Sequence, residues 1–291
     1  MSKRPVAPQL SFERQDLERR LGFPTGKFTH ARAPLTLLLG VFFAFIFYAA
    51  LHLFYLPNFH GTFFAEIPPI FYERGSIPYA ETLFAGWGMA ILLIKWRKLA
   101  LQRRALTIGI VPSAADFVIS PDTANIVLTQ IERAVDNPRR FVLFSRIATV
   151  LSALRNLGRV SDVDEMFARQ ADIADEITES SYSLLKGLIW AIPVLGFIGT
   201  VVGLSAAIGS FGAVLSAGGS GIEQLKEGLQ KITVGLAVAF DTTLVGLLQA
   251  LALQMLMTLE KSGEEQFLDD CRDYCHRRIV ARLRVLPLEA E

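Results

Sequence analysis

Two apolar stretches near the C-terminal end of the chain decide the fold: Ala191-Ile-Pro-Val-Leu-Gly-Phe-Ile-Gly-Thr-Val-Val-Gly203 and Gly235-Leu-Ala-Val-Ala-Phe-Asp-Thr-Thr-Leu-Val-Gly-Leu247. Each is apolar enough to lie in lipid, and at about 100° per residue each places small residues and a threonine on one helical face. Small residues let helix backbones approach, and a hydroxyl in hydrocarbon needs a partner, so the pattern predicts packing against a helix, a water or an ion. The two small-residue stripes are Pro193, Gly196, Thr200, Gly203 and Ala207, and Gly235, Ala239, Thr243, Gly246 and Ala250.

The composition indicates a membrane protein. Of the 291 residues 52% are hydrophobic, and the mean hydropathy is +0.39, whereas soluble domains contain about 45–50% apolar residues. The net charge of +1 gives no general attraction to nucleic acid. Seven lysines and arginines, but no apolar run, precede residue 33, so we expect no signal peptide.

Four segments have the length and apolarity of membrane helices, for which about 20 residues suffice. In the fourth, residues 232–259 contain a single charged residue, Asp241. The second is short, and we expect Glu81 at one membrane interface, with Lys95 and Trp96 snorkelling at the other. The predicted fold class is an all-α membrane protein, with four transmembrane helices in two hairpins and a helical cytoplasmic domain.

The distribution of positive charge predicts the orientation. Lysines and arginines are concentrated before residue 33 and just after the second span, whereas the first outer loop has only Arg74. The positive-inside rule then places both termini and the large insert in the cytoplasm. The predicted segments are a cytoplasmic N-terminal segment (1–32), the first membrane helix (33–56), a periplasmic loop (57–79), the second membrane helix (80–98), a cytoplasmic helical domain (99–186), the third membrane helix (187–215), a periplasmic loop (216–229), the fourth membrane helix (230–259) and a cytoplasmic C-terminal helix (260–291).

Capping signals predict the helices of the cytoplasmic domain. Ser120 followed by a proline begins one helix, and Ser161 with Asp164 begins another. Nothing interrupts the latter before Pro193, so we expect the third membrane helix to be continuous with a long cytoplasmic helix. The residues predicted to form the packing face of this helix recur at three- and four-residue multiples: Val163, Phe167, Ala174, Ile177 and Leu184. A face of the C-terminal helix is predicted likewise from Leu268, Cys271, Cys275, Ile279 and Leu283.

Both opening stretches contain motifs of a known family. The first reads P-x-L-G-x-x-G-T-x-x-G from Pro193 to Gly203, and the second contains T-T-L-x-G from Thr242 to Gly246 after G-x-A-x-A. These motifs resemble the channel core of the MotA/TolQ/ExbB family, the larger subunits of ion-driven membrane motors. The resemblance covers roughly residues 179 to 258. Four spans with a cytoplasmic insert resemble flagellar MotA more than three-span TolQ or ExbB.

The resemblance implies an ion-channel subunit, for protons or sodium ions, of a rotary motor in the bacterial inner membrane. It implies a homopentamer around two copies of a MotB/TolR/ExbD-like partner, whose single membrane helix bears an aspartate. Flagellar stator, TolQ/ExbB-like energiser and defence or surface motor all stay open. No cofactor, metal or nucleic-acid partner is expected, and no enzyme motif occurs. The residues expected to line the ion pathway are Thr200, Thr243, Thr242, Pro193, Gly196, Gly199, Gly203, Ala239 and Gly246.

Asp241 departs from the family pattern as an additional intramembrane acid. It lies about 160° around the helix from Thr243, and a lipid-facing carboxylate would cost about 2.5–3.5 kcal/mol on insertion scales. Its role stays open between an interhelix hydrogen bond, a place on the ion path and a structural salt bridge. A second departure is Val238, since ExbB- and TolQ-like members often carry a glutamate five residues before the matched threonine.

Other interpretations compete with the channel. Thr200 and Thr243 could bond only the carbonyls four residues before them, which is common for threonine in membrane helices. The stripes could also drive oligomerisation alone, in a non-conducting membrane scaffold. The only two cysteines, Cys271 and Cys275, supply too few ligands for a metal, so we expect them to be reduced packing residues.

Overall fold

The computed structural model describes residues 10–23, 26–54, 67–112, 117–154, 160–216 and 222–284. Within these ranges the regular structure is helical, and the extended pairings are two isolated bridges, Leu10 with Val135 and Ile119 with Leu283. Short 3-10 helices cover Pro138–Arg140 and Val280–Arg282. The α-helices of the described residues are α1 (Phe12–Gln15), α2 (Leu17–Arg20), α3 (Ala33–Phe54), α4 (Ile67–Tyr72), α5 (Ile77–Ala105), α6 (Ala124–Ala134), α7 (Val142–Ala153), α8 (Val160–Ser181), α9 (Ser183–Ser216) and α10 (Ile222–Arg278).

Four helical stretches of the described residues are long and apolar enough to cross a membrane. The predicted class, an all-α membrane protein with four membrane helices, is therefore confirmed. Where the membrane begins and ends along these helices stays a prediction. The stretches are Ala33–Leu53, Ile77–Ala105, Val160–Gly212 and Lys226–Arg282.

Two of these helices are longer than the predicted spans. α5 has 29 residues instead of the predicted 80–98, which gives a length of about 44 Å. α10 has 57 residues, so most of the C-terminal helix predicted for 260–291 is the last part of α10. The continuity follows from the sequence, since no proline occurs between residues 222 and 278.

The expected continuity of the third membrane helix is interrupted at one residue. Tyr182 is a turn residue between α8 and α9, and its N–H donates to the Glu179 carbonyl, three residues back, at 3.2 Å. Val163 and Phe167 of α8 are buried as predicted, whereas Leu184, just after the turn, is 38% exposed. The turn shifts the helical register, so Leu184 does not continue the packing face of α8.

Both helix starts predicted within residues 99–186 are wrong in detail. α6 begins at Ala124, because Ser120 to Thr123 form a turn in which the Ser120 N–H donates to Thr123 Oγ1 at 2.8 Å. Ser161 lies inside α8 rather than capping it. The two helices nevertheless occupy roughly the predicted segments.

One compact unit comprises Met1–Leu35, Leu93–Tyr182 and Leu259–Glu291. Its core is built from α6, α7, α8 and the C-terminal part of α10, with Phe144, Val163 and Phe267 among its buried side chains. The face predicted for the C-terminal helix lies in this core, and both cysteines are free and buried there. The buried residues of that face are Leu268, Cys271, Cys275, Ile279 and Leu283.

The second compact unit comprises Thr36–Leu92 and Ser183–Thr258. In it α3 and α5 pack closely. A methyl group at Gly40 would lie only 2.6 Å from the Trp87 Cα, so a side chain at this position would clash with α5. The Trp87 indole donates to Thr36 Oγ1 at 2.9 Å and joins the same two helices. The exposed faces of α9 and α10 are rich in large apolar side chains, which is the pattern of surfaces in contact with lipid or other subunits.

Candidate functional site

The two small-residue stripes pack against each other. A methyl group at Gly203 would lie 2.6 Å from the Gly235 carbonyl oxygen, and one at Gly235 would lie 3.0 Å from Ala207 Cβ. Ala239 is 2% exposed in the same contact. The small residues were predicted to pack against another helix. In this chain, the helix that each stripe contacts is the one that carries the other stripe. Whether these residues also line a pore stays a prediction.

Thr200 and Thr243 face each other across this contact. The Thr200 hydroxyl lies 2.9 Å from the Ala239 carbonyl oxygen, and the Thr243 hydroxyl 3.0 Å from that of Gly196, so each can donate to the other helix. Each is also 3.3 Å from the carbonyl four residues before it in its own helix. The two hydroxyl oxygens are themselves in hydrogen-bond contact.

The hydroxyls retain unused acceptor capacity. A threonine hydroxyl has one proton and two lone pairs, so Thr200 and Thr243 together hold two protons for several acceptors. Both side chains are partly exposed rather than sealed in the contact. The pair can therefore accept a hydrogen bond, or contribute oxygen ligands to a small cation.

Thr242 has a different environment from Thr243. It is fully buried, and its hydroxyl donates to the Val238 carbonyl of its own helix at 2.9 Å. A methyl group at Gly199 would lie 2.7 Å from Thr242 Cβ, so glycine is required there. The structure thus places Thr242 as a packing residue against α9.

Pro193 lies inside α9, where it removes one backbone donor from the helix. It is partly exposed and lines a cavity of about 660 Å³ together with Trp190, Phe197 and Leu251. A second cavity, of about 790 Å³, lies beside the contact and is lined by Gly199, Gly203 and Arg74 among others. The small-residue contact is therefore flanked by open space.

Asp241 forms a salt bridge. The distance from Arg74 Nε to Asp241 Oδ2 is 2.7 Å, and the two side chains are 20% and 25% exposed. Among the three roles left open by the sequence, the structure shows the ion pair, with the lone cation of the first predicted outer loop. The charge of Asp241 is thus compensated by an arginine 167 residues away in the chain.

Glu81 was missed as a site residue, and the sequence did not predict its burial against α9 and α10. It is fully buried, and a methyl group at Gly246 would lie 3.0 Å from its Oε1 atom. A methyl group at Gly196 would likewise lie 3.2 Å from Glu81 Oε1. Both glycines belong to the stripes and lie well inside the predicted third and fourth spans. A signal in the sequence was Gly88, which lies seven positions after Glu81 on the same helical face and packs against Leu253.

Lys95 does not snorkel as predicted. It is buried, and its ammonium pairs with Glu264 Oε2 at 3.1 Å and donates to Ser181 Oγ at 2.8 Å. The Tyr182 hydroxyl donates to Glu264 at 2.8 Å, and the Thr29 hydroxyl also bonds that carboxylate. Trp96, in contrast, is 57% exposed. Among the described residues no group of three or more histidine, cysteine or acidic side chains could hold a metal ion.

Four helices long and apolar enough to cross a membrane, with hydroxyl and carboxyl groups packed between them, are the features of a multi-pass membrane protein with a polar site inside its helix bundle. Residues 141–271 match the model of the MotA/TolQ/ExbB proton channel family. The match supports the family inferred from the motifs. No curated protein and no solved structure matches the chain. The matched residues include both threonine motifs, whereas α3 and α5, with Glu81, lie before them.

Proposed function

We propose that the chain is the ion-conducting subunit of a rotary membrane motor in the bacterial inner membrane. Five copies surround two copies of a MotB/TolR/ExbD-like partner, and proton or sodium flow turns one against the other. The proposal extends the family, a proton channel family rather than a class of enzymes, to a particular assembly. One charge moving through 100 mV releases about 2.3 kcal/mol, which is enough to bias a helix rotation.

The observation that supports the channel is the pair of hydroxyls on Thr200 and Thr243. Threonines that served only their own helices would not need to meet, yet these two contact each other and the carbonyls of the opposite helix. They remain partly exposed, and Gly199, next to Thr200 in the chain, lines an open cavity. A carboxyl group on a partner helix could reach such hydroxyls, which is the contact that a motor of this family requires.

The test is ion flux through the complex in liposomes, measured with a pH-sensitive or sodium-sensitive dye after co-expression with the partner encoded nearby. Thr243→Val and Thr200→Val keep the side-chain shape and remove the hydroxyl. We expect each to reduce flux at least about tenfold, or about 1.4 kcal/mol of barrier, while the yield of assembled complex is unchanged.

Thr233 provides a matched control in the same helix. Among the residues that the structure describes, its exposed hydroxyl bonds one group, the Leu229 carbonyl four residues back, at 2.9 Å. Thr233→Val should therefore conduct as the wild type does. If all three variants conduct equally, the hydroxyls of the motif are structural, and the proposal is wrong.

The alternative is a non-conducting scaffold, and it is favoured by the way the two stripes satisfy each other within one chain. The scaffold predicts no flux with any partner, together with assembly that does not depend on one. Native mass measurement in mild detergent separates the two, because the motor predicts a five-to-two complex. Reporter fusions at both ends test the cytoplasmic location of the termini.

A further inference from the structure

Glu81 is a buried acid without a donor. Its side chain is completely buried in the unit formed by Thr36–Leu92 and Ser183–Thr258. Neither carboxyl oxygen has a hydrogen-bond partner among the residues that the structure describes. Buried carboxylates in proteins are normally paired or hydrogen-bonded, so this one calls for an explanation.

The surroundings of the carboxyl group are rich in acceptors. A point 3.0 Å from Glu81 Oε1, above Gly246, is also 3.1 Å from the Ile192 carbonyl oxygen. A point 3.2 Å from the same atom, above Gly196, is 3.1 Å from the Thr242 carbonyl oxygen. Carbonyl oxygens repel an ionised carboxylate but can bind a proton carried by the carboxyl group, or a small cation.

No fixed cation neutralises Glu81 in the described structure. On α9 no titratable residue occurs between 187 and 216. On the membrane part of α10 the one acid is Asp241, which is paired with Arg74. On α3 the group that interacts electrostatically with Glu81 is Tyr48, which is uncharged in its ordinary form. The missing positive charge therefore has to come from solution.

We infer that Glu81 is the carboxyl group of an intramembrane binding site for one monovalent cation, either a proton or Na⁺, beside the threonine motif of α10. The inference deepens the proposed function and rests on it for the fate of the bound ion. The site would add a relay position in this chain itself, in addition to the aspartate of the partner. Gly196 and Gly246 make room for it, since any side chain there would press on the carboxyl group.

The first experiment is carboxyl labelling of the full-length protein with dicyclohexylcarbodiimide, which modifies protonated acids in apolar surroundings. Mass spectrometry of peptides should locate the label on Glu81, and labelling should fall as the pH is raised, because the reagent modifies the protonated acid. Addition of Na⁺ at constant ionic strength distinguishes the occupants. Protection by Na⁺ but not by choline identifies a sodium site, and no protection identifies a proton site.

The second experiment does not depend on access of the reagent. One component of the infrared C=O band of protonated carboxyl groups should be present in the wild type at low pH and absent from Glu81→Gln, which has nearly the same shape. Asp241→Asn is the matched control and should retain both the band and the label. Absence of the label at every pH, together with identical infrared spectra of wild type and Glu81→Gln with and without Na⁺, would overturn the inference.

The labelling result is independent of the motor assay. A labelled Glu81 in a protein that conducts no ions leaves the binding site in place and removes the channel. Normal flux in a protein whose Glu81 never binds a cation would support the channel and would rule out the binding site at Glu81. The two proposals can therefore fail separately.

Discussion

Two buried polar regions of this chain differ in how their charges are satisfied. In one unit Lys95 and Glu264 form an ion pair, and the carboxylate also accepts hydrogen bonds from Tyr182 and Thr29. In the other unit Glu81 is buried to the same degree, yet no described group donates to it. A charge with several fixed partners keeps its state and supports the fold, whereas a buried carboxyl group without partners changes state when a cation arrives.

The largest expected effect comes from breaking the satisfied pair. Glu264→Leu leaves the Lys95 ammonium buried without its main partner, which costs about 3–5 kcal/mol. The loss should lie toward the lower end, because Glu260 also interacts with Lys95. Thermal unfolding of the detergent-solubilised protein measures it. Lys95→Met combined with Glu264→Leu should recover most of the loss, and a double variant as unstable as the single one would contradict the structural role.

Glu81 should respond in the opposite way. Glu81→Gln removes a titratable group that makes no described hydrogen bond, so the thermal stability and assembly should not fall. Ion flux should fall at least about tenfold, or about 1.4 kcal/mol of barrier. Glu81→Asp keeps an acid on a shorter side chain and should restore part of the flux. Normal flux in Glu81→Gln would show that the carboxyl group takes no part in conduction.

The helices and their order could be predicted from the sequence, because hydropathy and helix length are local properties. The family was inferred from the resemblance of the α9 and α10 motifs, and the need of the small residues for a close helix followed from their spacing. That each stripe packs against the other did not follow from the sequence. The Lys95–Glu264 pair could not be found in this way, since its members are far apart in the chain and a membrane interface is an equally acceptable place for a lysine.

Glu81 illustrates the same limit more sharply. The predicted span 80–98 placed this residue at an end, but α5 begins at Ile77 and packs its first turns against Gly196 and Gly246. How deep one helix lies against its neighbours depends on long-range packing, which hydropathy does not encode. Leu184 was wrongly assigned to the packing face of α8 for a local reason. The turn at Tyr182 contains no proline or glycine, which are the residues that usually indicate a turn in a sequence.

The pair of Arg74 and Asp241 is intermediate between the buried Lys95–Glu264 pair and Glu81, because it is a single ion pair with both side chains partly exposed. Asp241→Asn and Arg74→Gln should each reduce stability by about 1 kcal/mol, because solvent reaches both partners. The double variant should lose little more than either single one, which gives a coupling energy of about 0.5–1 kcal/mol in thermal unfolding. Flux through Asp241→Asn should be substantial. Strictly additive losses, or a fully assembled but non-conducting Asp241→Asn, would show that the ion pair is not the role of Asp241.

The smallest effect on stability is expected at Asp136, a carboxylate that accepts several hydrogen bonds but is exposed to solvent. Burial opposes ionisation of Asp136, but the backbone N–H groups of Glu13 and Phe12 and the Ser11 hydroxyl outweigh it and lower its pKa below the ordinary 3.8. Because the pKa is lowered in the folded state, the contact stabilises the N-terminal segment above about pH 4. The contribution is lost as the pH falls through the native pKa. Protease cleavage before residue 33 should therefore accelerate between about pH 5 and about pH 3 in the wild type. Asp136→Asn should be cleaved faster at neutral pH and show less change on acidification, and an identical pH profile for the two proteins would mean that Asp136 does not hold this segment.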